Sequence, residues 1–142
     1  MENAAEKERN FIHTQNHIFS KAAITFALKN NAGVIKMERL EGIGEDLENK
    51  FLTRNWSYFE LQKLVEYKAK YHNIEVKYVN PRNTSQTCSF CGNLEDGQRM
   101  SQKDFQCKNP DCSNKDEKGV NMIINADYNA SRNIAASENY VK

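Results

Sequence analysis

Four cysteines form two pairs, Cys88-x2-Cys91 and Cys107-x4-Cys112, with fifteen residues between the pairs. Four thiolates at this spacing can close a tetrahedral cage around one zinc ion, and both intervals fall within the two-to-four-residue range of structural zinc sites. Gly92, directly after the first pair, lets the backbone turn so that its amides approach the sulfurs. With four sulfur ligands no coordination position stays open, so such a zinc is structural and does not activate water. The competing readings are two disulfides or four unrelated buried thiols. Two carboxylates flank the cysteines: Glu38 closes an apolar, strand-like run upstream, and Asp127 opens a helix-like run downstream. Both are candidate metal-binding acids. Taken singly, Asp127 could merely cap its helix and Glu38 could pair with a surface lysine.

The elements that must hold these groups can be read from periodicity. Phe11, Ile12, Ile18, Phe19, Ala22, Ala23, Phe26 and Ala27 recur at helical spacing, which predicts a helix from about Phe11 to Asn30, stopped by Asn30-Asn31-Ala32-Gly33. Val34–Glu38 reads as a short, largely buried strand, and Arg39–Asn55, with Gly42 and Gly44, as a loop. A second helix is expected from about Trp56 to His72, followed by a strand over Ile74–Val79 that Pro81 ends. Residues 84–114 look too poor in apolar side chains to make a core of their own, so a metal must replace it. An alanine-rich helix is expected from Asn125 to Ala136. The class is therefore α/β. Two strands do not make a stable independent sheet, which marks the chain as incomplete as a folding or functional unit.

Composition narrows the function classes. Hydrophobic residues at 39% and charged residues at 27% describe a globular chain rather than a disordered one. A net charge of +1 leaves no bulk electrostatic pull toward nucleic acid, so such binding must come from local patches or a larger assembly. No apolar run approaches the ~20 residues needed to span a bilayer. The charged start, Glu2 to Arg9, lacks the apolar core of a secretion signal. The expected location is cytoplasmic, where reduced thiols favour metal over disulfides.

Longer strings are more specific than any of these. They include Val34-Ile35-Lys36-Met37-Glu38-Arg39-Leu40, Trp56-Ser57-Tyr58-Phe59, and Thr84-Ser85-Gln86-Thr87-Cys88-Ser89-Phe90-Cys91-Gly92. Arg99 with Phe105-Gln106-Cys107 and Asn125-Ala126-Asp127-Tyr128-Asn129-Ala130 complete the set. In order and spacing, over about residues 10–137, the chain resembles the C-terminal part of TnpB (OrfB) proteins of insertion sequences and the related compact type V CRISPR effectors. The resemblance implies a partial RNase H-like (RuvC) fold lacking its first strands, with an inserted four-cysteine zinc ribbon. It implies a second RuvC-like segment over 1–83, the ribbon over 84–118, and a third RuvC-like segment over 119–142. By resemblance Glu38 and Asp127 are catalytic carboxylates that hold Mg²⁺, a hard ion that takes oxygen ligands and promotes phosphodiester cleavage in pairs. Arg82, Arg99 and Lys103 are the candidate nucleic-acid contacts; the plainer reading leaves Arg82 and Arg99 as solvated side chains and has Phe105 packing the zinc knuckle.

The family pattern begins with an aspartate on the first core strand, and residues 1–33 contain no aspartate. The expectation is that the chain alone does not cut DNA. It would act as the nuclease portion of an RNA-guided endonuclease completed by a longer chain of the same family, with guide RNA and target DNA bound in that assembly. The other readings are a non-catalytic accessory subunit that binds a full-length relative or its RNA–DNA complex, and a decayed transposon remnant.

Overall fold

The computed structural model describes residues 3–39 and 51–141, the side chains of 51–56 excepted. The expected α/β class is what it shows. The chain divides into two compact units, Met1–Tyr78 and Val79–Lys142. Among the described residues no helix is long and apolar enough to cross a membrane.

The first unit opens with helix α1, Ala4–Lys29. It begins seven residues before the apolar periodicity does, because Asn3 and Glu6 form a capping box: the Glu6 N–H donates to Asn3 Oδ1 at 2.9 Å and the Asn3 N–H to Glu6 Oε2 at 3.0 Å. Strand β1, Val34–Glu38, follows as expected. Helix α2 spans Phe51–Tyr71, so Phe51–Asn55 are helical where a loop was expected. The rest of that loop, residues 40–50, lies outside the described residues. Strand β2, Glu75–Val79, pairs with β1.

Both helices end in the same way. Asn31 and Asn73 adopt positive φ, 53° and 56°. The next N–H then reaches back five residues, Ala32 to the Ala27 carbonyl and Ile74 to the Ala69 carbonyl, each at 2.9 Å. Asparagine here does what glycine more often does, because its short polar side chain tolerates the left-handed region.

Ile24, Ala27, Val65, Ala69 and Ile74 are buried together, with Ile35, Met37, Leu61 and Val76 packed around them. The two alanines let α1 and α2 approach closely. Away from this apolar centre the helices are joined by polar groups. Buried Asn16 donates to Glu60 Oε2 at 2.6 Å and to the Ser57 carbonyl at 2.9 Å. Lys68 donates to Ser20 Oγ at 2.7 Å and to the His17 carbonyl at 2.9 Å. These bonds satisfy groups whose burial unpaired would be costly.

The second unit is built around the cysteines. Strands β3, Asp104–Gln106, and β4, Ile123–Asn125, pair antiparallel with Phe105 opposite Ile124. Helix α3, Ala126–Ala136, begins at the residue after β4. Cys88, Cys107, Cys112, Phe105 and Ala126 are buried as one cluster, against which Phe90 and Ile124 pack. The segment 84–114 therefore has a core after all, but a shared one: Ile124 and Ala126 come from the strand and helix that follow it.

Candidate metal centre and the helix that carries Asp127

The first cysteine pair sits on a tight knuckle. The Gly92 N–H donates to the Cys88 carbonyl and the Cys88 N–H to the Asn93 carbonyl, both at 2.9 Å. Gly92 has φ +74°, a conformation that a side chain would strain. The second pair is held by Asn109 and Asn121. The Asp111 N–H donates to Asn109 Oδ1 at 2.9 Å, and Asn121 Nδ2 donates to the Cys107 and Asn109 carbonyls at 2.7 and 2.8 Å. Between the pairs, fully buried Gln98 donates to the Gln86 and Asn93 carbonyls and accepts from Asn93 Nδ2 and the Lys108 N–H. A single amide thus ties both halves together.

This backbone brings the four Sγ atoms within 4.8 Å of one another. Cys88 and Cys112 are 3.7 Å apart, and Cys91 and Cys107 are 3.6 Å apart. Four thiolates at the usual ~2.3 Å from one zinc ion stand about 3.8 Å from each other. A disulfide needs about 2.05 Å, and all four cysteines are free. The cluster is consistent with zinc binding in donor type, number and spacing. Asn109 Nδ2 adds an N–H toward Cys91 Sγ at 3.7 Å, the kind of outer-shell bond that orients a ligand.

Without metal the thiols of Cys91, Cys107 and Cys112 are unequal. Burial, reinforced by the neighbouring Cys91 and Cys88 thiols, pushes Cys107 up to about 12, and burial raises Cys112 as well. Burial also acts upward on Cys91, but the Asn93 backbone and the Cys107 and Asn109 side chains outweigh it and bring that group down to about 7. Cys107 and Cys112 thus stay protonated throughout the neutral range, and binding one ion must expel at least those two protons. The loaded state holds fewer protons, so raising the pH favours it. Apparent affinity for Co²⁺ is expected to fall by at least about 100-fold between pH 7.5 and 6.5. Optical titration at the two pH values checks this; an affinity indifferent to pH would contradict thiolate ligation.

Asp127 lies in the first turn of α3 with its side chain 81% exposed. It does not cap the helix. Asn125 does, its Oδ1 accepting the Tyr128 N–H at 2.9 Å. Because Asn125 is also the last residue of β4, the carboxylate stands two residues beyond a strand end. Arg99 reaches it from the segment between the cysteine pairs, Nη2 to Oδ1 at 3.3 Å, while also donating to the Ser101 and Gln102 carbonyls. The structure therefore places one expected nucleic-acid contact on one expected catalytic acid. Arg82 and Lys103 are exposed, and the Lys103 carbonyl accepts the Ala126 N–H at 2.8 Å, anchoring the start of α3. Phe105 is 1% exposed and packs among the cysteines, as the plainer reading had it. Glu38 belongs to the other unit, partly buried at the end of β1, where buried Gln62 on α2 donates to its carbonyl at 2.8 Å.

A model of the Cas12f1-like TNB domain matches residues 58–134, more than half of the chain. The chain belongs to the TnpB/Cas12f family. It is 38% identical to the CRISPR-associated endodeoxyribonuclease Cas12f1 of Syntrophomonas palmitatica over 95% of its own length but 31% of that protein's. A TnpB-like protein of Methanocaldococcus jannaschii is 33% identical, with 94% of this chain and 45% of that one covered. A Cas12f1 chain, solved by cryo-electron microscopy in complex with sgRNA and target DNA, superposes with a TM-score of 0.69 at 31% identity, covering 94% of this chain and 36% of the other. This member thus spans about a third of each of these two Cas12f1 chains, and the match is to their C-terminal part.

Sequence reasoning used the asparagines of α3 as part of a family string but gave them no role. Asn129 is fully buried, and Asn133 bonds to the Thr84 and Thr87 carbonyls. Asn125, Asn129 and Asn133 recur every fourth residue, one face of a helix. That periodicity, in amides rather than apolar residues, was the available signal in this TnpB/Cas12f chain.

Proposed function

We propose that this chain is the C-terminal nuclease portion of an RNA-guided DNA endonuclease, with an RNase H-like core supplied in part by Met1–Tyr78. Glu38 and Asp127 are two of its catalytic carboxylates, and the four cysteines hold a structural Zn²⁺. One observation carries the reading. Asp127 is relieved of capping by Asn125, sits in a helix anchored to the cysteine cluster, and presents an exposed carboxylate in a chain of the TnpB/Cas12f family.

Glu38 and Asp127 offer the hard oxygen donors that Mg²⁺ prefers, and bound Mg²⁺ ions supply charge stabilisation for phosphodiester cleavage. Two carboxylates fall short of the donor set for a two-ion centre, and no aspartate precedes Glu38 in residues 1–38. Residues 1–142 by themselves therefore do not cut. Arg99 Nη2 pairs with Asp127 Oδ1, so a metal ligated by that oxygen would have to displace the guanidinium.

The partner is a longer chain of the family that contributes the earlier aspartate, with guide RNA and target DNA, the ligands named for the related Cas12f1 complex. Large apolar side chains left in solvent along α1, Phe11 at 64%, Ile18 at 53% and Phe26 at 70% exposure, support association with another polypeptide. They favour equally the second reading, an accessory subunit that binds a full-length relative without cutting.

Purified chain with Mg²⁺ or Mn²⁺ and single-stranded DNA is expected to yield no product. Adding a family chain that carries the first aspartate but has its own equivalents of Glu38 and Asp127 disabled, together with guide RNA, is expected to restore cleavage. Robust cleavage by the chain alone that Glu38→Gln abolishes overturns the predicted inactivity. Binding to the longer chain with no restored cleavage favours the accessory reading.

A further inference from the structure

Asn129 brackets Cys88. Its Nδ2 donates to the Thr87 carbonyl at 2.8 Å and its Oδ1 accepts the Ser89 N–H at 2.9 Å, so one buried amide grips the backbone on both sides of a metal ligand. Four residues on, Asn133 Nδ2 donates to the Thr84 and Thr87 carbonyls at 2.8 and 2.7 Å. Between them Arg132 lays its guanidinium over the Phe90 ring, 4.5 Å from the centroid, and donates to Ser89 Oγ at 3.2 Å. At the start of the same helix, Ala126 packs with Cys107 and Phe105, and Asp127 follows. Successive residues of α3 thus address the loop that supplies Cys88 and Cys91.

We propose that Asn129, assisted by Asn133, is a positioning residue that couples metal occupancy of the four-cysteine site to the placement of the helix bearing Asp127. The amide bonds are made only if residues 84–89 hold the knuckle conformation, and closing four thiolates on an ion fixes that conformation. Coupling is reciprocal: if the ion orders α3 through the amide, the amide must raise affinity for the ion by the same factor. Outer-shell hydrogen bonds to metal ligands are typically worth 10–100-fold in metal affinity, and the grip on both neighbours of Cys88 is expected to act on that scale. Its meaning for catalysis rests on the reading of Asp127 given above; the coupling itself does not.

The test uses the whole chain with Co²⁺ as probe and amide exchange as a second readout. Asn129→Ala is expected to retain the tetrahedral tetrathiolate spectrum while losing about 10–100-fold in Co²⁺ affinity. In the loaded variant, amides of residues 130–136 are expected to exchange at least about tenfold faster than in the loaded wild type. Should Asn129→Ala not fold, Asn133→Ala, at a half-buried position, is expected to shift both readouts in the same direction by a smaller factor. Ser131→Ala, on the exposed side of α3, is the reference. Affinity within twofold of wild type, or unchanged exchange in loaded α3 for whichever variant folds, overturns the coupling. It leaves the zinc site and the nuclease reading standing. A wild-type chain that binds no Co²⁺ overturns the zinc site and the coupling together.

Discussion

Replacing Cys107 by serine, or stripping the chain with a chelator, is expected to unfold Val79–Lys142 while Met1–Tyr78 stays folded. The reason lies in what each unit buries. Met1–Tyr78 has five buried apolar residues from two long helices and the turn after α2, with four more hydrophobic side chains of α2 and the strands packed against them. In Val79–Lys142 the buried cluster around the sulfurs holds three cysteines, one phenylalanine and one alanine, with Phe90 and Ile124 packed against it. So small an apolar centre cannot offset the backbone entropy of ordering its loops, which costs about 1–2 kcal/mol per residue. Structural zinc contributes an apparent ~10–16 kcal/mol at neutral pH, enough to decide the balance. Serine keeps the shape of Cys107 but is a poor ligand for this ion. Residue-resolved amide exchange before and after chelation separates the units. Persistent protection in β3, β4 and α3 after metal removal would show that the polar network folds that unit unaided.

The second large effect concerns Asp127. In an assembly that supplies the missing carboxylate, Asp127→Asn is expected to reduce DNA cleavage about 1,000-fold, the scale of losing several kcal/mol of metal-borne charge stabilisation. Stability is expected to fall by no more than about 2 kcal/mol. The helix keeps its cap on Asn125. The ion pair to Arg99 is lost, but with Asp127 81% exposed such a pair is worth about 0–1 kcal/mol. The favourable interaction of an acid with the helix N-terminus adds about 0.3–1 kcal/mol. Cleavage rates and a denaturation midpoint on the same variant tell the cases apart. A catalytic role predicts the large kinetic loss with a near-native midpoint. A structural role predicts the reverse, and that outcome would remove Asp127 from the proposed site.

The parts of the molecule that were legible in the sequence share a property: their signal is local and chemical. Four thiols at fixed spacing, the apolar run ending in Glu38, and the alternation of Glu75–Val79 each say what they are within a few residues. The start of α1 was missed because Glu6 to Arg9 carry no apolar period, and the capping box of Asn3 and Glu6 lies within the charged start from Glu2 to Arg9. The start of α2 was missed for a related reason, since Phe51–Asn55 follow a glycine- and acid-rich stretch that reads as a turn. Strands β3 and β4 are three residues each, too short to show alternation, and owe their pairing to the sulfur cluster they flank. The asparagines of α3 look like surface residues by type. Only their partners, the bare carbonyls and amides of a knuckle 40 to 49 residues away in the chain, make them interior. The Arg99–Asp127 pair likewise joins groups 28 residues apart.

The junction of β4 and α3 has no slack. Asn125 ends the one and caps the other, so nothing between them can absorb a change in length. One residue gained or lost there would swing the acid at 127 through about 100° around the helix axis. Extra residues in the exposed turn of residues 116–120, where the Gly119 N–H donates to the Asp116 carbonyl, would leave its bearing untouched. Drift in length across relatives should therefore collect in the finger and spare this hinge-free joint.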